Sequence, residues 1–136
     1  MSKRRVSLAI GVILAAFALV LGFSSTSAPA GVMAATKLVI TSTSPSHPIA
    51  GQDFRINFQL QKGGMPLQIK DVGCHAQIGD GKGVPVKDQG ITNGTDGHCT
   101  WHVPSSASGK TLDGFVAAVR QSNGVTFFHG FDLPIS

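Results

Sequence analysis

The chain holds 136 residues, with 11 Lys+Arg against 7 Asp+Glu and a formal net charge of +4. Three of the basic residues, Lys3, Arg4 and Arg5, stand together at the start, and without them eight basic residues face seven acidic ones, a net charge of +1. No basic cluster remains in the rest of the chain, so nucleic acid and anionic lipid are discounted as partners.

The opening MSKRRVSLAIGVILAAFALVLGF joins that basic start to an apolar run from Val6 to Phe23. The small-residue segment SSTSAPAGVMAA follows. These are the three parts of a secretory signal peptide, so residues 1–35 are expected to be a helical leader and residues 36–136 the exported domain. Ala28-Pro29-Ala30 offers a cleavage site, with Val32-Met33-Ala34 and Met33-Ala34-Ala35 competing. The apolar run also meets the minimum of about 18 residues for a membrane span, so contact with a membrane is expected only if the leader stays uncleaved. No Cys stands near the end of the run, which excludes lipid attachment there. Arg4-Arg5 suggests a twin-arginine signal, but Ser7 stands where an apolar residue is expected, and general secretion is preferred. The expected location is therefore secreted or extracytoplasmic, in a periplasm or at a cell surface. The two cysteines, Cys74 and Cys99, suit an oxidising compartment. Joined to each other, they would close a loop worth ~3 kcal/mol in the chain-entropy model.

Beyond the leader the pattern has period two. KLVITSTS (Lys37 to Ser44) is rich in β-branched residues and reads as a strand. PSHPIAGQ is a loop. In DFRINFQLQ, Phe54, Ile56, Phe58 and Leu60 alternate with Arg55, Asn57, Gln59 and Gln61, a half-buried strand with one wet face. KGGMP turns the chain. In DVGCHAQIG, Val72, Cys74, Ala76 and Ile78 share one face, and Gly73, His75 and Gln77 the other. GDGKG is a turn, VPVKD a short strand whose proline suits an edge, and NGTDG another turn. After GHCTWHVP and the loop PSSASGK, LDGFVAAVRQ gives Phe115, Ala117 and Val119 on one face. VTFFHGFDLPI closes the domain, with Val125, Phe127, Phe131 and Leu133 in phase. His129 shares that phase, so either a bulge at Gly130 turns it outward or it is a partly buried core histidine. About seven short strands with turns between them and no helical period predict a single antiparallel β-sandwich.

The segment GHCTWHVP, Gly97 to Pro104, admits two readings. As a strand it buries Cys99, Trp101 and Val103 and shows His98, Thr100 and His102 to water. Cys74 then also points inward, and a disulfide beside Trp101 becomes a core element. As a metal site, Cys99-x-x-His102 has the ligand types of a copper centre, but a strand puts those two residues on opposite faces. The surviving metal reading is a periplasmic copper or zinc binder using exposed His75, His98 and His102. His98 and His102, four residues apart in a strand, are about 13 Å apart, too far to share one ion directly. The strand reading is preferred, and no cofactor is expected.

No catalytic residue emerges, and the protein is not expected to be an enzyme. There is no Glu, and the seven Asp are scattered. Asp71, Asp80, Asp88 and Asp96 lie beside turns or strand ends, and nothing in the sequence suggests a pair of carboxylates held close. No G-x-S-x-G is present, and GDGKG lacks the length and Lys-Ser/Thr ending of a phosphate loop. Asn93-Gly94-Thr95 matches a glycan acceptor pattern, although Asn-Gly is also ordinary turn chemistry.

The succession PIAGQDFRINFQLQKGGMPLQIKDVGCHAQIG, followed by GHCTWHVPSSASGKTLDGFVAAV, resembles immunoglobulin-like β-sandwich domains of secreted bacterial proteins. The likeness covers residues 45 to 136, with Cys74, Cys99 and Trp101 in the expected places. It implies a spacer, adhesive or ligand-binding module. The chain departs from the antibody pattern: Trp101 lies two residues after the second Cys, and without any Tyr no tyrosine corner forms. The resemblance leads to an exported non-enzymatic module with an interaction or structural role and an extracytoplasmic protein or glycan as partner. Its contacts would fall in end loops such as Ser44 to Gln52 and Ser105 to Lys110.

Overall fold

The computed structural model describes residues 34–136; the expected signal helix and its Ala28-Pro29-Ala30 cleavage site lie outside them. Eight strands follow one another: β1 (Thr36–Ser44), β2 (Asp53–Lys62), β3 (Met65–Pro66), β4 (Ile69–Ile78), β5 (Val86–Thr92), β6 (Asp96–His102), β7 (Thr111–Arg120) and β8 (Thr126–Pro134). Between β6 and β7 the chain makes a 3-10 turn, Ser105–Ala107. One sheet runs β1-β2-β6-β5, with the two-residue β3 paired to β2; the other runs β4-β7-β8. All pairings are antiparallel. Without β3, this is the four-plus-three strand division of an immunoglobulin constant-type sandwich.

Alternation in β2 sets the inner face. Phe54, Ile56, Phe58 and Leu60 are fully buried, and the polar residues between them point to the outside. The neighbour β6 buries Cys99 and Trp101 in register with Ile56 and Phe54. The Trp101 ring lies 5.5 Å from that of Phe131 on β8, across the sandwich. Gly63 and Gly64 both take positive φ (59° and 79°) in the two-residue β2–β3 turn, a conformation that carries almost no penalty for glycine.

The strand expected at VPVKD divides between the two sheets. Val84 donates its N–H to the Ala76 carbonyl at 3.0 Å, extending the β4 edge. The chain then crosses at Pro85, which has no N–H to leave unpaired, and continues as β5 on the edge of the other sheet.

Cys74 on β4 and Cys99 on β6 form a disulfide, with Cα atoms 5.8 Å apart. The bond links the two sheets, and Cys99 and Trp101 are fully buried beneath it. In contrast to the Cys-bearing strands of antibody domains, the bridge here joins β4 and β6.

Three sequence expectations are corrected. On β7 the core residues are Leu112, Val116 and Ala118, so the face carrying Phe115, Ala117 and Val119 is the outer one. The bulky aromatic suggested the core side, but β7 is rich in small residues on both faces, and its partners decide the direction. On β6, Thr100 is only 8 % exposed, because its flanking strands β2 and β5 carry Arg55 and Asp88 beside it. Val125 falls in the turn before β8 and is exposed. The β7–β8 register is unbroken, so Gly130 carries no bulge. His129 stays in the inward phase, half-buried, with Nδ1 3.2 Å from the Leu38 carbonyl of β1.

Candidate interaction surface

Three surfaces present themselves to a partner. The first is the loop end. Both loops named from sequence, Ser44 to Gln52 and Ser105 to Lys110, lie there and are tied down by backbone hydrogen bonds. Gly51 and Val103 are joined by an N–H to carbonyl bond of 2.8 Å, Ala50 N–H donates to the Ser136 carbonyl at 2.9 Å, and Gly109 N–H to the Ile135 carbonyl at 2.9 Å. A dimple of about 90 Å³ opens beside them, lined by Ile78, Asp80, Lys82, Ser106 and Lys110 among others. Asp80 and Lys110 pair across it at 3.4 Å. It is too small for a drug-sized ligand.

The second is the outer face of the β1-β2-β6-β5 sheet, which is polar and internally satisfied. Asp53 accepts from Lys87 and lies 2.9 Å from His102 Nδ1. The Asp53 carboxyl is held below the usual aspartate range, first by the Lys87 hydrogen bond and then by His102. Asp88 lies 3.3 Å from His98 Nε2 and 3.9 Å from Arg55. Arg55 donates to Asn57, which donates in turn to Ser42, each at 3.0 Å. Asp53 and Asp88 each have a cationic or imidazole side chain beside them, and Asp96 accepts from Gln59 Nε2 instead.

The third is the outer face of the β4-β7-β8 sheet, built differently. Cross-strand register arranges it in rows: Gln77, Asp113 and Asp132; His75, Phe115 and Gly130; Gly73, Ala117 and Phe128. Phe128 is 64 % exposed and Phe115 36 %. Phe115 stacks on His75 with ring centres 5.3 Å apart and meets Phe128 edge-on at 5.5 Å. Asp113 and Asp132 sit directly opposite each other. A hydrogen bond to Asp113 holds the Asp132 carboxyl above the usual range, and the Asp113 charge adds to it. None of the ion pairs among the described residues serves either carboxyl. Sequence spacing did not reveal this acid pair, because residues nineteen apart meet only through the β7–β8 register. The hairpin turn at Ser122-Asn123-Gly124 was the available signal.

The candidate metal residues do not converge. His98 and His102 are on β6, each beside its own aspartate, whereas His75 is on the outer face of the opposite sheet against Phe115. A copper or zinc site built from exposed His75, His98 and His102 is therefore not formed: β4 and β6 belong to different sheets, and His98 is mostly covered, with a side-chain exposure of 13 %. Cys99, the remaining candidate ligand, is in the disulfide. Among the described residues no three His, Cys, Asp or Glu side chains cluster as a metal site would require.

The strand order and the division into two antiparallel sheets define the class: an immunoglobulin-like antiparallel β-sandwich. The chain is similar in fold to the Lin-41 filamin domain, with a TM-score of 0.50 and 18% identity over 76% of this chain and 97% of that one. A looser match is a DUF4426 family protein from Pseudomonas aeruginosa PAO1, with a TM-score of 0.46 and 15% identity, covering 61% of this chain and 64% of that one. No protein-family model matches the chain, and no curated protein matches its sequence.

Proposed function

We propose that this protein is an exported, disulfide-braced immunoglobulin-like module that acts through surface contact or as a structural element and not as an enzyme. Residues 1–35 would be its signal peptide and residues 36–136 the mature domain. The Cys74–Cys99 bond between the sheets carries the reading. A disulfide of this kind forms and persists in oxidising compartments, and the basic-apolar-small order of the leader leads to the same place. The non-catalytic half is supported by the loop ends, where the dimple is too small to enclose a drug-sized substrate.

The test is cell fractionation of a bacterium making the full chain, combined with thiol labelling. The expected result is a shortened protein outside the cytoplasm whose two cysteines label only after denaturation and reduction. A full-length cytoplasmic protein with both thiols reactive would overturn the reading.

A further inference from the structure

We infer that the outer face of the β4-β7-β8 sheet docks a basic segment of a partner protein, seating a Lys or Arg side chain in a slot floored by Gly130. This rests on the module reading and names its contact surface.

The slot follows from the register. Along β8 the outward positions are Phe128, Gly130 and Asp132, and beside them on β7 are Ala117, Phe115 and Asp113. Gly130 contributes no side chain, so a gap lies between the Phe128 ring and the Asp132 carboxyl, with Phe115 and Asp113 on its β7 side. Outward residues two apart along a strand are separated by about 6.6 Å, the width of one side chain. Glycine is not needed there for the backbone. A Cβ built on Gly130 would meet only the Gly114 carbonyl, at 3.7 Å, an ordinary contact.

The walls select the occupant. The exposed Phe128 ring, with Phe115 beside it stacked on His75 by one face, offers apolar surface to the stem of a cationic side chain, and a cation within about 6 Å of a ring centre is attracted by its quadrupole. The Asp113 and Asp132 carboxyls stand opposite each other, which costs free energy unless a cation or a shared proton relieves it. Among the described residues no cation pairs with either carboxyl; Thr111 Oγ1 donates to Asp113 Oδ2 at 3.4 Å, and Asp113 Oδ1 is buried without a hydrogen-bond partner. The contrast with the other sheet is direct: there Lys87, Arg55, His98 and His102 meet the carboxylates of Asp53 and Asp88. A neutral sugar would stack on the rings but leave the acid pair unrelieved. A guanidinium satisfies both, through the ring face and through charge-assisted hydrogen bonds. On the Phe128 side of the slot the surface falls away to Ala117 and Gly73 on β7 and β4, so an extended segment has room to lie across the strands there.

The experiment uses the protein purified after export, with its disulfide intact. The probes are the peptide RVRVRVRVR, its counterpart EVEVEVEVE, and chitohexaose, each titrated by amide NMR at low and high salt, with sedimentation run in parallel. The expected result is saturable binding of the Arg peptide alone, weakened by salt, with shifts centred on Phe115, Gly130 and Asp132. Gly130→Val, whose Cβ would make only an ordinary contact, should leave melting unchanged and lower affinity at least about tenfold, the order expected for losing both a ring contact and a charge-assisted bond. Asp113→Asn with Asp132→Asn should do the same to affinity without loss of stability.

Absence of saturable Arg-peptide binding, or binding undiminished in Gly130→Val, overturns the proposal. So does preference for chitohexaose at this face, or a dimer that Gly130→Val abolishes. An exported, disulfide-bonded protein that ignores the Arg peptide would sink only the docking inference. A reduced cytoplasmic protein would sink the module reading beneath it.

Discussion

At Gly97 the Phe58 ring crosses over the backbone of β6, and a Cβ there would stand 2.7 Å from its Cζ. At Gly114 the obstacle is backbone: a Cβ would come within 2.8 Å of Ala76 Cα on β4. A ring can tilt, whereas a paired strand moves only by loosening its ladder. We therefore expect Gly97→Ala to cost about 1–3 kcal/mol, the usual range for overpacking, and Gly114→Ala to cost at least as much. Gly83, with open space around its Cβ position and no positive φ, should accept Ala with little change. Urea unfolding of the three variants checks the order; equal stability of Gly83→Ala and Gly114→Ala would contradict it. Neither close approach was legible from the sequence. Gly97 ends NGTDG and looks like one more turn residue, because a cross-strand neighbour is invisible until register is known. His129 shows what period two does convey: its phase placed it among the core residues, and only the choice between bulge and burial needed the partner strand.

Strand β2 was legible in full, because its outward residues are all polar and its inward ones all large and apolar. Strand β7 was not, because Ala and Gly occur on both its faces and the single Phe lies outside. The outward residues of β2, β5 and β6 make a prediction about pH. Asp53 is held down by Lys87 and then His102, so its folded carboxyl releases its proton more readily than in the unfolded chain. Its contribution is present above the ordinary aspartate value and disappears as pH falls through the lowered one. Asp132 on β8 has the opposite sign: raised by Asp113, it favours folding in acid, and that advantage is lost as pH rises through the raised value. Asp53→Asn should thus lower Tm at neutral pH and match the parent in strong acid. Asp132→Asn should raise Tm at neutral pH and match the parent, or fall slightly below it, in acid. Thermal melts from about pH 2 to about pH 7, spanning the ordinary aspartate range, test both signs. Both residues are largely open to water, so high salt should shrink each effect.

On the scale of the whole domain, the two sheets touch through side chains, and besides the main-chain crossings a disulfide between β4 and β6 ties them together. The sequence separation of Cys74 and Cys99 is 25 residues, a span that includes all of β5. Closing such a loop in the unfolded chain removes entropy worth ~3 kcal/mol in the chain-entropy model. A domain of this size has a total stability of about 5–15 kcal/mol, so the bridge is a large fraction of it. The core does not consist of the bond alone: Trp101, Phe54, Ile56 and Phe58 are fully buried between the sheets. Cys74→Ala with Cys99→Ala should therefore keep the native spectrum while losing about 2–4 kcal/mol in guanidinium unfolding. Single replacements should fare worse in an oxidising medium, since each leaves an unpaired thiol free to cross-link. Because the constraint acts mainly on the unfolded chain, the double variant should also expose more surface on unfolding and show a steeper denaturant slope. A double variant as stable as the parent would mean that the packed Trp101 layer alone holds the sheets together.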